Sequence, residues 1–113
     1  MFIIKNELVP FSHYKAMTIW PFIFVREGKT FNDIDENHEL IHGEQQKELL
    51  VLGFLLLYVT FFLVRLIICR NWKKAYRADP FETEAYFWQN NLHYLEHRRH
   101  YAWWKSVGNS FNL

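Results

Sequence analysis

A long apolar segment in the middle of the chain, residues 49–69, most strongly limits what these 113 residues can fold into. Residues 49–64 carry no charged side chain, and this run of 16 residues ends at Arg65. A helix that crosses a bilayer needs about 20 predominantly apolar residues. The sequence therefore predicts a helix buried in the core of the protein. A membrane helix is the alternative, because Arg65 could extend its charged end to the bilayer surface.

The rest of the chain predicts an α+β protein with a single domain, 1–113. Residues 1–31 contain short β-branched and aromatic runs, which Pro21 interrupts, and a turn is predicted at 26–29. From Asn32, cap-forming and acidic side chains precede a helical pattern, and Asp79-Pro80 begins a second helix. We expect a small N-terminal β element packed on two or three helices. Residues 108–110 predict a frayed tail.

Composition excludes several classes of function. The formal net charge is only +1, so the chain has no general electrostatic attraction for nucleic acid. The single cysteine, Cys69, excludes an internal disulfide and a cysteine-based zinc finger, and we expect it to be a small buried apolar residue. The start of the chain has no signal peptide, which predicts a cytoplasmic protein, with membrane association as the alternative. The oligomeric state is left open.

The strongest chemical signal is His38-Glu39-Leu40-Ile41-His42, the pattern H-E-x-x-H on a predicted helix. Two histidines at i and i+4 lie one above the other on a helix and can share a metal ion. Glu39 lies beside them and can take a proton from a water that zinc has activated. The pattern predicts His38 and His42 as zinc ligands and Glu39 as a catalytic base.

A catalytic zinc site usually has a third protein ligand. On a helical wheel Glu84 lies closer than Glu82 to the apolar stripe of the second helix, and Glu82 can also serve as the acid of a capping box. Against this, Glu82 has the small Ala85 three residues later, which lets the two helices approach closely. The candidates for the third ligand are Glu82, Glu84, His93, His97 and His100.

H-E-x-x-H followed by Glu82-Thr83-Glu84-Ala85-Tyr86 resembles a minimal gluzincin-type zinc metallopeptidase. The chain also resembles uncharacterised small bacterial proteins with H-E-x-I-H and P-F-E-x-E-A-Y. The resemblance implies a zincin-like active-site helix, a Zn²⁺ cofactor held by His38, His42 and Glu82, and hydrolysis of a peptide or protein substrate. Glu84 is then expected to support the ligands. Tyr86 stands where the family has the acid that orients the first histidine.

Two alternatives to the peptidase come from other classes of protein. One is a small membrane-associated protein, an interpretation that rests on the apolar residues 49–69. The other is a zinc-binding domain without catalysis, an interpretation that rests on Tyr86 in place of the acid. If 49–69 crossed a bilayer, His38 and His42 would lie on one side and Glu82 on the other. Because a three-ligand site could not then form within one chain, the metal hypothesis favours a core helix.

Four further patterns have less specific interpretations. The basic stretch that contains His93, His97, His100, Arg98 and Arg99 predicts a solvated helix face. The aromatic-basic groups at 72–74 and 103–105 predict core packing with a solvated edge, or else an interfacial membrane belt. Gln45 and Gln46 are as compatible with a plain helix surface as with hydrogen bonds to the site. A strand at 22–26 could pair with an extended substrate.

Overall fold

The computed structural model describes residues 1–7 and 15–107, which form a three-stranded sheet followed by three helices and two short 3₁₀ helices. The predicted α+β fold is therefore confirmed, while the predicted frayed tail lies outside the described residues. The strands are β1 (Phe2–Asn6), β2 (Ala16–Ile19) and β3 (Phe22–Arg26). The helices are α1 (Asp33–Cys69), α2 (Trp72–Ala78) and α3 (Pro80–Trp88), and the 3₁₀ helices are Tyr94–Glu96 and Ala102–Ser106.

The sheet has the strand order β1-β3-β2, with β1 parallel and β2 antiparallel to β3. Alternation along β3 buries Ile23 and Val25 on one face, as the period of a half-buried strand requires. Because β3 has a strand on each side, its backbone is already paired. The expectation that residues 22–26 pair with a substrate is therefore wrong. Among the described residues, β1 and β2 are the edge strands, and β2 contacts α1.

Helix α1 is sharply bent at Leu50, where the backbone leaves the helical region (φ 58°, ψ 156°). A straight helix of 37 residues would be about 55 Å long at ~1.5 Å per residue. The longest dimension of the molecule is only 35 Å, so α1 consists of two arms, an amino-terminal arm (33–49) and a carboxy-terminal arm (51–69). The first arm begins where the sequence predicts a helix start, and Asn32 caps it in a capping box with Asp35.

The carboxy-terminal arm is not the buried core helix that its composition predicts. Only 11% of the most apolar 18-residue window of α1 is buried, and by length and composition alone α1 could span a membrane. One face packs into an aromatic cluster with Phe81 and Trp103, to which Phe54 and Tyr58 contribute. The buried-core expectation is therefore wrong for most of this arm, because too few elements surround it to cover more than one face.

Helix α3 begins as predicted, with Asp79 at the N-cap and Pro80 in the first turn. It ends at Trp88, earlier than the apolar stripe predicts, and Leu92 lies exposed beyond it. Ala85 is fully buried in a cluster with Ile41 of the amino-terminal arm. This small side chain lets α3 lie close enough for its acidic residues to reach α1.

Candidate metal centre

Two histidines of α1 and one glutamate of α3 converge at the centre of the protein. His38 Nε2 and His42 Nε2 are 3.2 Å apart, as the i, i+4 spacing on one helix allows. Glu82 Oε1 lies 3.2 Å from His38 Nε2 and 3.1 Å from His42 Nε2, and all three residues are buried. An ion bound tetrahedrally at about 2.0–2.1 Å separates its ligands by about 3.3 Å. These three residues could therefore hold a metal ion.

The hydrogen bonds around His42 determine which of its nitrogens faces the site. Gln45 Nε2 donates to the backbone oxygen of Phe81 and to Glu84 Oε1, both at 3.0 Å. Since both partners are acceptors, the amide oxygen of Gln45 must face His42, where it accepts from Nδ1 at 2.8 Å. With Nδ1 donating to Gln45, Nε2 is the nitrogen that faces the centre and could bind a metal ion.

His38 is oriented in the same way by a residue that the sequence pattern did not reveal. Its Nδ1 donates to Gln89 Oε1 at 2.8 Å. The segment that carries Gln89 is held against α1 by Asn37, whose amide donates at 3.3, 2.8 and 3.0 Å to three backbone oxygens within residues 88–91. Tyr86 only packs edge-on against His38, with ring centroids 4.5 Å apart. A neutral amide thus orients His38, at the place where the resemblance to gluzincins implies an acid.

The electrostatics of the centre favour a positive charge beside the Glu82 carboxylate. Burial lowers the pKa of the His42 imidazole, but the Glu82 carboxylate outweighs burial and raises this pKa to about 10. Burial raises the pKa of the Glu82 carboxyl, but His42 and His38 outweigh it and hold this pKa well below its usual range. Two imidazole nitrogens and one carboxylate oxygen are ligands suited to zinc and to other divalent transition metals.

The structure places Glu82, and not Glu84, at the centre. The second oxygen of Glu82 accepts from the hydroxyl of Tyr58 at 2.7 Å, which leaves Oε1 for the two histidines. Glu84 faces away toward Arg98 and Tyr94, with Arg98 Nε and Tyr94 Oη each 2.6 Å from its Oε2. It reaches His42 only through Gln45 and so supports the ligand indirectly.

The three downstream histidines do not join the centre. His93 is exposed and lies 3.3 Å from Glu96, and His100 is exposed beside Glu48. Within residues 1–7 and 15–107, His38, His42 and Glu82 are the only group of three that could hold an ion. The expected solvated basic face is wrong for Arg98, whose side chain is buried between Glu48 and Glu84. This segment is also a turn with a short 3₁₀ helix rather than an α-helix.

Glu39 is held by the sheet rather than by the metal ligands. Its side chain is buried, and its Oε1 accepts from the Thr18 hydroxyl of β2 at 2.7 Å. The same hydroxyl lies 3.1 Å from the backbone oxygen of Glu39. Strand β2 therefore fixes this carboxylate beside the two histidines.

Two clefts open onto the centre, and Glu39 borders both of them. The larger cleft, about 620 Å³, also reaches His38, Tyr76 and Tyr86. The smaller cleft, about 290 Å³, reaches His42 and Glu82. Its apolar walls include Met17, Phe54, Leu55 and Phe62. Clefts of this size are typical of sites that bind small ligands or short peptides.

The sequence did not predict several residues that surround the centre. Gln45 and Gln46 are both fully buried, although a helix surface was an equal expectation. The spacing of Gln45, three residues after His42, was the available signal for the first. Gln89 and Thr18 carry no such local signal, because their partners lie 51 and 21 residues away in the chain.

No protein-family model matches the chain, and no curated protein or solved structure matches it either.

Proposed function

We propose that this protein is a zinc-dependent peptidase of the gluzincin type, in which His38, His42 and Glu82 hold the zinc. The observation that carries the proposal is the convergence of the three ligand atoms, 3.1–3.2 Å apart, beside the carboxylate of Glu39. A bound zinc ion would polarise the scissile carbonyl and lower the pKa of a water in the site.

Glu39 is the base of the proposed reaction. It lies at the border of both clefts and accepts a hydrogen bond from Thr18, which fixes the carboxylate without supplying a positive charge. It takes the proton of the attacking water and later passes it to the leaving amine. Because Glu39 is not one of the three converging ligands, its loss should affect turnover more than metal content.

A phenol of the larger cleft, Tyr86, can donate a hydrogen bond to a substrate. Tyr76 and Tyr86 bond to each other, and burial is the largest effect that raises the pKa of each phenol. Both hydroxyls therefore stay protonated at neutral pH. Because Tyr76 donates its proton to Tyr86, we assign the Tyr86 hydroxyl to the stabilisation of negative charge that develops on the carbonyl oxygen of the substrate.

Strand β2 offers an edge along which an extended peptide could bind. The backbone of Arg26 donates to Lys15 at 3.0 Å, so alternation turns the backbone groups of Ala16 and Thr18 away from β3. Gln46 already covers part of this edge: it donates to Thr18 O at 2.7 Å and accepts from Trp20 N at 2.6 Å. A substrate strand would therefore pair at Ala16, which lines both clefts.

The test combines metal analysis with a matched pair of variants. The purified protein is expected to hold about one zinc per chain after zinc loading. Glu39→Gln should keep that zinc while hydrolysis of a peptide library falls at least about a hundredfold. Glu44→Gln is the control, because Glu44 lies on the same helix but pairs with Lys47 near the surface.

Four results would contradict the proposal. One is a protein that takes up no metal, and another is normal turnover in Glu39→Gln. The third is a purified protein that contains about one iron per chain and no zinc. Two histidines and a carboxylate are also the ligands of iron oxygenases, so this result would indicate that class of enzyme. The fourth, zinc uptake without hydrolysis by the wild type, would support the zinc-binding domain without catalysis.

A further inference from the structure

The carboxy-terminal arm of α1 presents a continuous apolar stripe to its surroundings, here called the outer face. Its members recur every three or four residues, so they lie on one side of the helix. Their side chains are extensively exposed: Leu52 76%, Leu56 71%, Val59 50%, Leu63 48% and Ile67 75%. At ~1.5 Å per residue this stripe is about 22 Å long. Contiguous exposed apolar surface of this kind usually marks an interaction site.

The opposite face of the same arm is also apolar, but it is used inside the protein. Phe54, Tyr58 and Phe61 pack against Phe81, and the Tyr58 hydroxyl donates to Glu82. An arm that is apolar on both faces is not the amphipathic surface helix of a water-exposed domain. Its outer face therefore needs an apolar environment that the described part of the chain does not supply.

The charged residues that follow the outer face in the chain indicate what that environment is. Residues 49–78 contain five basic side chains and no acidic one. The basic residues Arg70, Lys73, Lys74 and Arg77 are exposed and directly follow the apolar arm. Trp72, among them, is 60% exposed and packs edge-on against Phe62 of the arm, with ring centroids 4.8 Å apart, and tryptophan is a residue enriched at lipid headgroups.

We propose that the outer face lies in the surface of an anionic lipid bilayer, with the arm parallel to the membrane plane and the basic cluster 70–77 against the headgroups. An exposed apolar stripe that leads into lysine, arginine and tryptophan favours binding at the surface of an anionic bilayer, while the protein itself covers the opposite face of the arm. A second copy of the chain, docked through the same face, would bring no acidic residue from this segment to meet the basic cluster.

The packing of the arm favours this orientation over a crossing one. Tyr58, near the middle of the arm, contacts the buried carboxylate of Glu82. An arm that crossed the bilayer would carry α3 and the metal centre to the middle of the hydrocarbon layer. Charged groups at that depth are costly, whereas an arm in the membrane plane leaves them on the aqueous side.

Vesicle flotation of the full chain tests the proposal. The protein should float with vesicles of phosphatidylcholine mixed with phosphatidylglycerol, and much less with phosphatidylcholine alone or at high salt. Leu52→Glu/Leu56→Glu should abolish flotation, whereas Phe87→Glu, an equally exposed apolar site on α3, should float like the wild type. Lys73→Glu/Lys74→Glu should weaken binding at least about tenfold, and Lys5→Glu/Lys29→Glu should not.

Metal content and circular dichroism of each variant separate loss of binding from loss of folding. A second measurement needs only conservative changes: brominated lipids should quench the tryptophan fluorescence of the wild type, and Trp72→Phe should remove part of that quenching. Failure of the wild type to bind anionic vesicles would overturn the proposal. So would a stable dimer that Leu52→Glu/Leu56→Glu dissociates, because the outer face would then bind a second copy.

Discussion

Replacement of Gln89 by alanine should weaken zinc binding about 10- to 100-fold, because Gln89 is the group that orients His38. The substitution removes the 2.8 Å hydrogen bond from His38 Nδ1 but leaves the three backbone bonds from Asn37 to residues 88–91. The segment should therefore stay in place while the imidazole loses its fixed tautomer and orientation. Loss of such a partner typically costs this range of affinity, or about 1.4–2.7 kcal/mol.

Competition with a chromogenic chelator measures this change directly. Asn90→Ala is the control, because Asn90 is the exposed neighbour of Gln89 in the same turn. Gln89→Glu should bind zinc at least as tightly as the wild type, since a carboxylate makes the imidazole a stronger ligand. Wild-type affinity in Gln89→Ala, or an equal loss in Asn90→Ala, would refute the assignment of Gln89 as the orienting group.

Three more outcomes follow from the same structure. Glu82→Gln should lower zinc affinity at least about a hundredfold, whereas Glu84→Gln should stay within about tenfold of the wild type, because Glu84 acts only through Gln45. Calorimetric titration with zinc compares the two variants, and a larger loss in Glu84→Gln would make Glu84 the ligand. Zinc affinity should rise about tenfold per pH unit from neutral pH up to the His42 pKa of about 10, because the ion displaces the proton that Glu82 holds on His42. A zinc affinity that does not change with pH would contradict this linkage. Asn32→Ala should lower the free energy of unfolding by about 1 kcal/mol through loss of the α1 cap, as measured by urea denaturation, whereas Asn32→Asp should keep the stability.

Local sequence determined the parts of this protein that depend on neighbouring residues. The i, i+4 spacing of His38 and His42 places their rings together on any helix, and the structure shows both on α1. The helix caps at Asn32 and Asp79 could also be predicted from local sequence, because a cap bonds to backbone groups two or three residues away. The α+β fold class followed from the change from strand-like to helical patterning near residue 32.

Tertiary structure alone decided the features that join distant parts of the chain. Position 50 is a leucine and not a proline or glycine, so the sequence did not predict that α1 bends into two arms there. The choice of Glu82 as the converging carboxylate and the partnership of Gln89 with His38 depend on contacts across 44 and 51 residues. Arg98 likewise became a buried partner of Glu48 and Glu84 only because α3 packs on α1. Helix periodicity reports which side chains share a face, but the packing of one helix on another selects which of those side chains meet.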